Sequence, residues 1–331
     1  MKINLNWVNR NTNEDGTRVF RETTPFSSTD GLTPVATLPQ GANSYTDENV
    51  VKGTLYYYRL EVFKGDDVYL GNQVAITALD YTGPGPQTLS KGDYERGYFG
   101  EVEAADLYSG DELALRVGLT VGSPVNSLTN WLKFAHKGKV LFIPKLPIRY
   151  TLDWNTLFNL GIVYGDNSEV PATLPSGAVA GTSQGKQVEL NGDRFIVRLM
   201  KGMSTNPAAY TPNPDYSDVL NGNADGSEWH DLIYSICNTV PASQSWGNFL
   251  NLPDVSILGT GSAVQMTTLC QELATAAATT VVVRGGTYNA SSSAIGGIAT
   301  PSPTANTINS TMGGLSITRQ ICWRPVLEFL P

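Results

Sequence analysis

Between residues 3 and 78 apolar and polar positions alternate in short runs broken by turn residues at close intervals, the pattern of strands with one buried and one wet face. Ile3, Leu5 and Trp7 alternate with Asn4, Asn6 and Val8. Asn13-Glu14-Asp15-Gly16 then turns the chain into an extended run from Thr17 to Arg21. A second alternation, Tyr56, Tyr58, Leu60 and Val62, leads through the turn Lys64-Gly65-Asp66-Asp67 into a strand from Val68 to Ile76. Many short strands with frequent turns predict a β-sandwich for residues 1–79.

Residues 80–96, opening on Asp80-Tyr81-Thr82-Gly83-Pro84-Gly85-Pro86-Gln87, have the densest Pro and Gly and no periodicity, so the expected boundary is a Pro/Gly linker there. The pattern then changes over 97–331. Leu113 to Leu119 reads as a strand, and Trp131 to Pro144 as a hairpin around a His136-Lys137-Gly138-Lys139 turn. Asp153 to Gly161 reads as a short helix capped by Asp153 or Thr151. Asp193 to Lys201 is expected to be a strand, Ser227 to Ile236 a helix with Ser227 at its N-cap, and Ala263 to Ala277 a further helix. The expected fold class is mainly β with some α.

Composition narrows the picture. Charged residues make up only 16% of the 331 positions, below the usual quarter, with 33 Gly and 19 Pro, which suits a loop-rich β protein. A net charge of -8 with scattered basic residues excludes nucleic acid as the expected partner, because phosphate neutralisation needs clustered Lys and Arg. No run of about 18 apolar residues is present, so no membrane span is expected, and the polar start after Met1-Lys2-Ile3 predicts no signal peptide. Cys237, Cys270 and Cys322 are far apart among apolar or small residues and are expected to be free buried thiols.

Two resemblances organise these readings. The first segment resembles a fibronectin type III module: Trp7 fits that family's strand-B tryptophan, and Gly53-Thr54-Leu55-Tyr56-Tyr57-Tyr58-Arg59 resembles the start of its strand F. The resemblance makes Tyr56 a tyrosine-corner residue whose hydroxyl reaches a nearby backbone group. Since Trp7 lies so near the start, strand A is either missing or supplied by a neighbouring chain, leaving an edge open to β-augmentation; a sandwich with a short edge is the plainer alternative.

Farther on, Val281-Val282-Val283-Arg284-Gly285-Gly286 and Ile321-Cys322-Trp323-Arg324-Pro325-Val326-Leu327 resemble the closing strands of C-type-lectin-like domains of the sulfatase-modifying-factor branch, as found in tailed-bacteriophage virion proteins. Glu228-Trp229 resembles the Glu-Trp pair that opens a helix in that branch. The resemblance implies an α+β lectin-like domain over 97–331, in which the two closing strands pair and the loop between them is displayed. The branch's enzymes use a cysteine pair and a metal; Cys270 and Cys322 cannot be assigned as such a pair, and no catalytic residue, metal or cofactor is carried over.

Motifs that look like chemistry fail on context. Gly181-Thr182-Ser183-Gln184-Gly185 matches G-x-S-x-G, and Asp193, Asp215 or Asp218 followed by His230 gives the hydrolase order, but that elbow needs a strand before the serine and a helix after it. Gly181 to Lys186 is too short for a P-loop, with Gln187 where Ser or Thr must hold magnesium. Asn221 to Gly226 imitates half an EF-hand, yet the twelfth position is Leu232. His136, in a turn, is expected to be solvated, and His230 to lie at the surface or half-buried; two histidines leave little for zinc.

What remains is recognition. The stretch 285–318 is rich in Gly, Ser, Thr, Ala and Asn and has no charged residue. Burial would strand its backbone polar groups, so it is expected at the surface. Tyr288, Asn289, Ser292, Asn306 and Asn309, with Trp246 and Tyr210, form the candidate interaction surface, and Tyr81, Tyr94, Tyr98, Tyr108 and Tyr216 are further aromatics in polar or loop contexts. Structural roles fall to Trp7, Tyr56, Trp131, Trp154, Trp229, Arg284, Trp323 and Arg324. The resemblances imply a non-enzymatic, surface-exposed virion protein of the tail, collar, baseplate or capsid decoration. Its expected partners are other virion proteins, further copies of itself and a host-surface glycan or protein. The alternative is a secreted carbohydrate-active enzyme or its carbohydrate-binding accessory module.

Overall fold

The structure, a computed structural model, describes residues 1–11, 13–202, 227–236, 267–273, 281–284, 296–299 and 321–331. The chain is mainly β with some α, at 38% strand against 11% helix, so the sheets decide its architecture. It divides into two compact units: residues 1–100 with Phe134–Val140 and Pro331, and residues 101–133 with 141–330.

In the first unit, β1 (Ile3–Asn6) pairs antiparallel with β4 (Ser44–Asp47) in a two-stranded sheet. The larger sheet runs β3 (Ala36–Pro39), β2 (Gly16–Glu22), β5 (Leu55–Lys64) and β6 (Asp67–Leu70), with β7 (Val74–Thr77) also on β5. Alternation places Ile3 and Leu5 of one sheet, and Val19, Tyr56 and Tyr58 of the other, in one apolar core. Trp7 packs on that core half-buried, just past β1, where its N–H donates to Asn43 O at 3.0 Å.

Two side chains tie the loops to this core. The Tyr56 hydroxyl accepts from Val51 N–H at 3.0 Å, the contact expected of it. Asp47, 1% exposed, accepts from Arg21 Nη1, the Tyr58 hydroxyl and Asn49 N–H. Residues 80–96 carry β8 (Lys91–Gly92), which pairs with β9 (Arg96–Val102) at Gly97 and Tyr98. Within the same unit Asp93 Oδ2 accepts from Ala75 N–H, and Glu95 Oε2 from the Tyr57 hydroxyl.

The second unit opens on α1 (Gly110–Val117), where a strand was expected. Ser109 and Glu112 close a capping box, and Leu113, Ala114 and Val117 form a buried stripe of helical spacing that outweighs the apparent alternation. After β10 (Ser123–Pro124) comes the expected hairpin of β11 (Trp131–His136) and β12 (Lys139–Pro144). Its turn is Lys137-Gly138, both with positive φ as a type I′ turn requires. Then follow β13 (Arg149–Tyr150) and α2 (Trp154–Asn159), capped by Asp153.

One sheet of this unit runs β14 (Gln187–Leu190), β15 (Asp193–Arg198), β20 (Val326–Leu330) and β12, all antiparallel. The other has β16 (Thr267–Leu273), β17 (Val281–Arg284), β18 (Gly296–Ala299) and β19 (Ile321–Trp323), in the order β10-β13-β19-β16-β17-β18. β16 corrects the helix expected there: Thr268 to Leu273 are buried without a break, as between two covered faces, and Thr268 takes Cys322 as a parallel partner. The insertion of β16 also means that β17 and β19 share a sheet without pairing to each other. Ser227–Ile236 forms a wide π-type turn over Trp229–Ile233 followed by a tight turn, with Ser227 Oγ accepting from His230 N–H.

Replacing Tyr56 by Phe is expected to lower the stability of the first unit by about 1 kcal/mol, because Val51 N–H loses its acceptor while the ring stays packed. Urea unfolding followed by tyrosine fluorescence measures this.

Candidate functional site

The predicted interaction residues Tyr210, Trp246, Tyr288, Asn289, Ser292, Asn306 and Asn309 lie outside the described residues, as do Tyr216, Cys237, Asp215, Asp218 and the EF-hand-like run 221–226. What the structure does place is the framework on either side of them. Trp131, Trp154, Trp229, Trp323 and Arg324 are all at most 2% exposed. Arg284 ends β17, its backbone opposite Thr268 and Gly296.

The chemistry of this framework centres on Arg198, at the end of β15 and 2% exposed. Its guanidinium donates through Nη1 and Nη2 to both oxygens of Glu228, at 2.7 and 2.6 Å, and through Nε to Glu328 on β20 at 3.0 Å. Burial opposes the charge on Arg198, but the two carboxylates outweigh it and hold the guanidinium protonated. Glu228 also accepts from Lys201 N–H, and Trp229 N–H donates to Lys201 O. The Glu228-Trp229 pair is therefore the point at which the 227–236 turn is clamped onto the strand.

Next to it, Glu272 on β16, 1% exposed, accepts from Gly202 N–H with both oxygens. Glu169 binds Lys201 Nζ at 2.5 Å and Gln271 Nε2 at 2.9 Å, and Trp154 Nε1 donates to Gln271 O. At the other end, Arg324 donates through Nε to Pro144 O and through Nη2 to Lys145 O. The chain on entering 203–226 and on leaving 300–320 is thus held by buried charge-assisted hydrogen bonds as well as by apolar packing.

Lys133 on β11 is fully buried with its Nζ 5.5 Å from the Phe142 ring centre. Desolvation pushes its pKa down to about 7, against a smaller opposing pull from Asp193. Cys270 and Cys322 are buried free thiols, as expected, and burial pushes Cys322 up to about 12. A thiol so protonated is no nucleophile at neutral pH.

Other expectations are corrected. His136 is 4% exposed because it is the last residue of β11 and not part of the turn, and His230 is 5% exposed with Nδ1 3.5 Å from Asp231 Oδ1. Tyr98 and Tyr108 are buried: Tyr98 stands 5.3 Å from Phe134 ring to ring, and Tyr108 O accepts from Trp131 Nε1. Tyr81 is exposed and Tyr94 half-buried, while Tyr69, at 75% exposure on β6, is an exposed aromatic that the sequence reading passed over.

Ser183 sits exposed in a loop with no strand before it, as the failed elbow context requires. Its neighbour Gln184 locks that loop, accepting from Val163 and Tyr164 N–H and donating to Phe158 O. Among the described residues no three of His, Cys, Asp and Glu gather as metal ligands, and no helix is long and apolar enough to cross a membrane. Comparison with protein-family models, with curated proteins and with solved structures gave no match.

Arg198→Met is expected to cost the second unit about 3–5 kcal/mol, since two carboxylates lose their shared counter-charge in the interior. Guanidinium unfolding of wild type and variant measures it. Lys133 gives a pH signature: the unfolded chain holds this proton up to the ordinary value of 10.5, the folded chain only up to about 7. Between those values the unfolded state binds more protons, so stability rises with pH. In Lys133→Met that rise should be lost, which thermal melts from pH 6 to pH 10 would reveal.

Proposed function

We propose that this protein is a structural component of a tailed-bacteriophage particle, fibronectin-III-like over residues 1–79 and lectin-like over residues 97–331. It works by assembling with other virion proteins and with copies of itself and by presenting a binding surface outward, without catalysis. The observation that carries this reading is the anchoring of both flanks of residues 285–318. β17 on one side and β19 on the other belong to one sheet, β18 within the stretch adds to that sheet by pairing with β17, and Arg324 fixes the exit by two bonds to backbone carbonyls.

An uncharged stretch rich in Gly, Ser, Thr and Asn offers many hydrogen-bonding groups and little to bury, which suits contact with another molecule better than a core. Fixed flanks lower the entropy lost when such a stretch engages a partner. Repetition around a particle then turns a weak single contact into a strong one by effective concentration. The motif order quoted above, from the Trp131 hairpin through Glu228-Trp229 to Trp323-Arg324-Pro325, supports the lectin-like assignment of residues 97–331.

The test is electron microscopy of intact particles from the phage encoding this chain, labelled with antibody raised against residues 285–318. Label at regularly repeated positions is the expected result. Unlabelled particles that contain no copy of the chain by mass spectrometry would overturn the reading.

A further inference from the structure

The strand edges of the first unit are guarded unequally. The outer edge of β7 is met by the chain that follows, with Ala75 N–H donating to Asp93 Oδ2 at 2.9 Å and Tyr94 N–H to Ala75 O at 3.0 Å. β3 follows Pro34 and ends on Pro39, and β6 begins at Asp67 after Asp66. Prolines and charges in such places deter the addition of a further strand. β1 has neither, since Ile3-Asn4-Leu5-Asn6 is uncharged and without proline, and among the described residues it pairs with β4 alone.

The hydrogen-bond ladder shows which groups of β1 are open. Ile3 and Leu5 stand opposite Asp47 and Tyr45, and in the same register Trp7 N–H donates to Asn43 O, so these residues turn their backbone groups to β4. The backbone groups of the alternate residues, Asn4 and Asn6, therefore point away from it. Both are exposed, and Val8 beyond them is 79% exposed. The run is also close to mirror-symmetric about Leu5, with Asn4 matching Asn6 in polar places and Ile3 matching Trp7 in apolar ones. β4 has no such symmetry: about Tyr45 its inward places hold Asn43 and the buried Asp47.

We infer that β1 is a self-pairing edge, at which two copies of the chain join β1 to β1 antiparallel about a two-fold axis at Leu5, in the sheet order β4-β1-β1-β4. Asn4 of each copy then exchanges backbone N–H···O bonds with the partner's Asn6. Asn4 Oδ1 already accepts from the Thr46 hydroxyl at 2.9 Å, which leaves its Nδ2 to donate to the amide oxygen of the partner's Asn6. On the inner face the half-buried Trp7 gains the partner's Ile3 as its opposite neighbour, and on the outer face Val8 is covered by the stem of the partner's Lys2. A two-stranded sheet is marginal alone, and pairing doubles it.

This contact deepens the virion reading and rests on it only for the idea that copies assemble. Association of the purified chain and labelling of particles can fail separately. The test is sedimentation velocity of the full chain over a range of concentrations, with hydrogen exchange on the same samples.

A reversible dimer is expected, in which exchange at the Asn4 and Asn6 amides slows as concentration rises. Asn6→Pro removes an outward N–H and spares the ladder to β4, so it should weaken the dimer about tenfold or more. Asn4→Glu with Asn6→Glu sets like charges across the axis and should leave a monomer, whereas Asn4→Lys with Asn6→Glu sets opposite charges there and should keep the dimer. A monomer at every concentration, a dimer indifferent to Asn6→Pro, or equal loss in both charge pairs would each overturn the inference.

Discussion

The second unit is organised around a positive charge held in its interior. Arg198 could not be placed there without both Glu228 and Glu328, since an ionised group removed from water is tolerated only when paired and fully hydrogen-bonded. The three residues come from β15, from the 227–236 turn and from β20, which are remote in sequence. Their geometry therefore specifies how those elements meet, where apolar contacts alone would tolerate sliding by a residue or two. Glu272 and Arg324 act in the same manner, each a buried side chain that bonds backbone groups, Gly202 N–H past the end of β15 and Pro144 O at the end of β12.

The first unit uses one buried anion, Asp47, to similar effect on a smaller scale. Its oxygens gather Arg21, the Tyr58 hydroxyl and the Asn49 amide, so that β4 is fastened to the larger sheet by more than side-chain packing. Burial and the neighbouring carboxylate push Tyr58 well above the ordinary phenol range, leaving it a permanent donor. With only two strands in the smaller sheet, such a fastening replaces area that extra strands would supply.

Legibility followed the strength of local signals. Period-two alternation identified β1, β5 and the β11–β12 hairpin, and Asp153 announced α2, because one face of each element is apolar and the caps and turns demand particular residues. The misses have physical causes. Leu113 to Leu119 alternates by accident, while the decisive Ser109-x-x-Glu112 box was present and overlooked. Thr267 to Leu273 is buried on both faces and so lost the periodicity that separates strand from helix. Asn191-Gly192, with both φ positive, is a hairpin signal between β14 and β15 that was equally available. The pairing of Arg198 with Glu228 and Glu328 depends on folded proximity and has no signature along the chain.

Cys270 and Cys322 occupy neighbouring strands of the sheet that flanks residues 285–318, and neither is open to solvent. With Cys322 held as a thiol far into alkaline pH, an alkylating reagent at neutral pH has no thiolate to attack there while the strands stay together. Modification must wait for β16 and β19 to part, so its rate counts those openings. The sheet carries its own chemical stopwatch, one that reads how often β16 and β19 come apart.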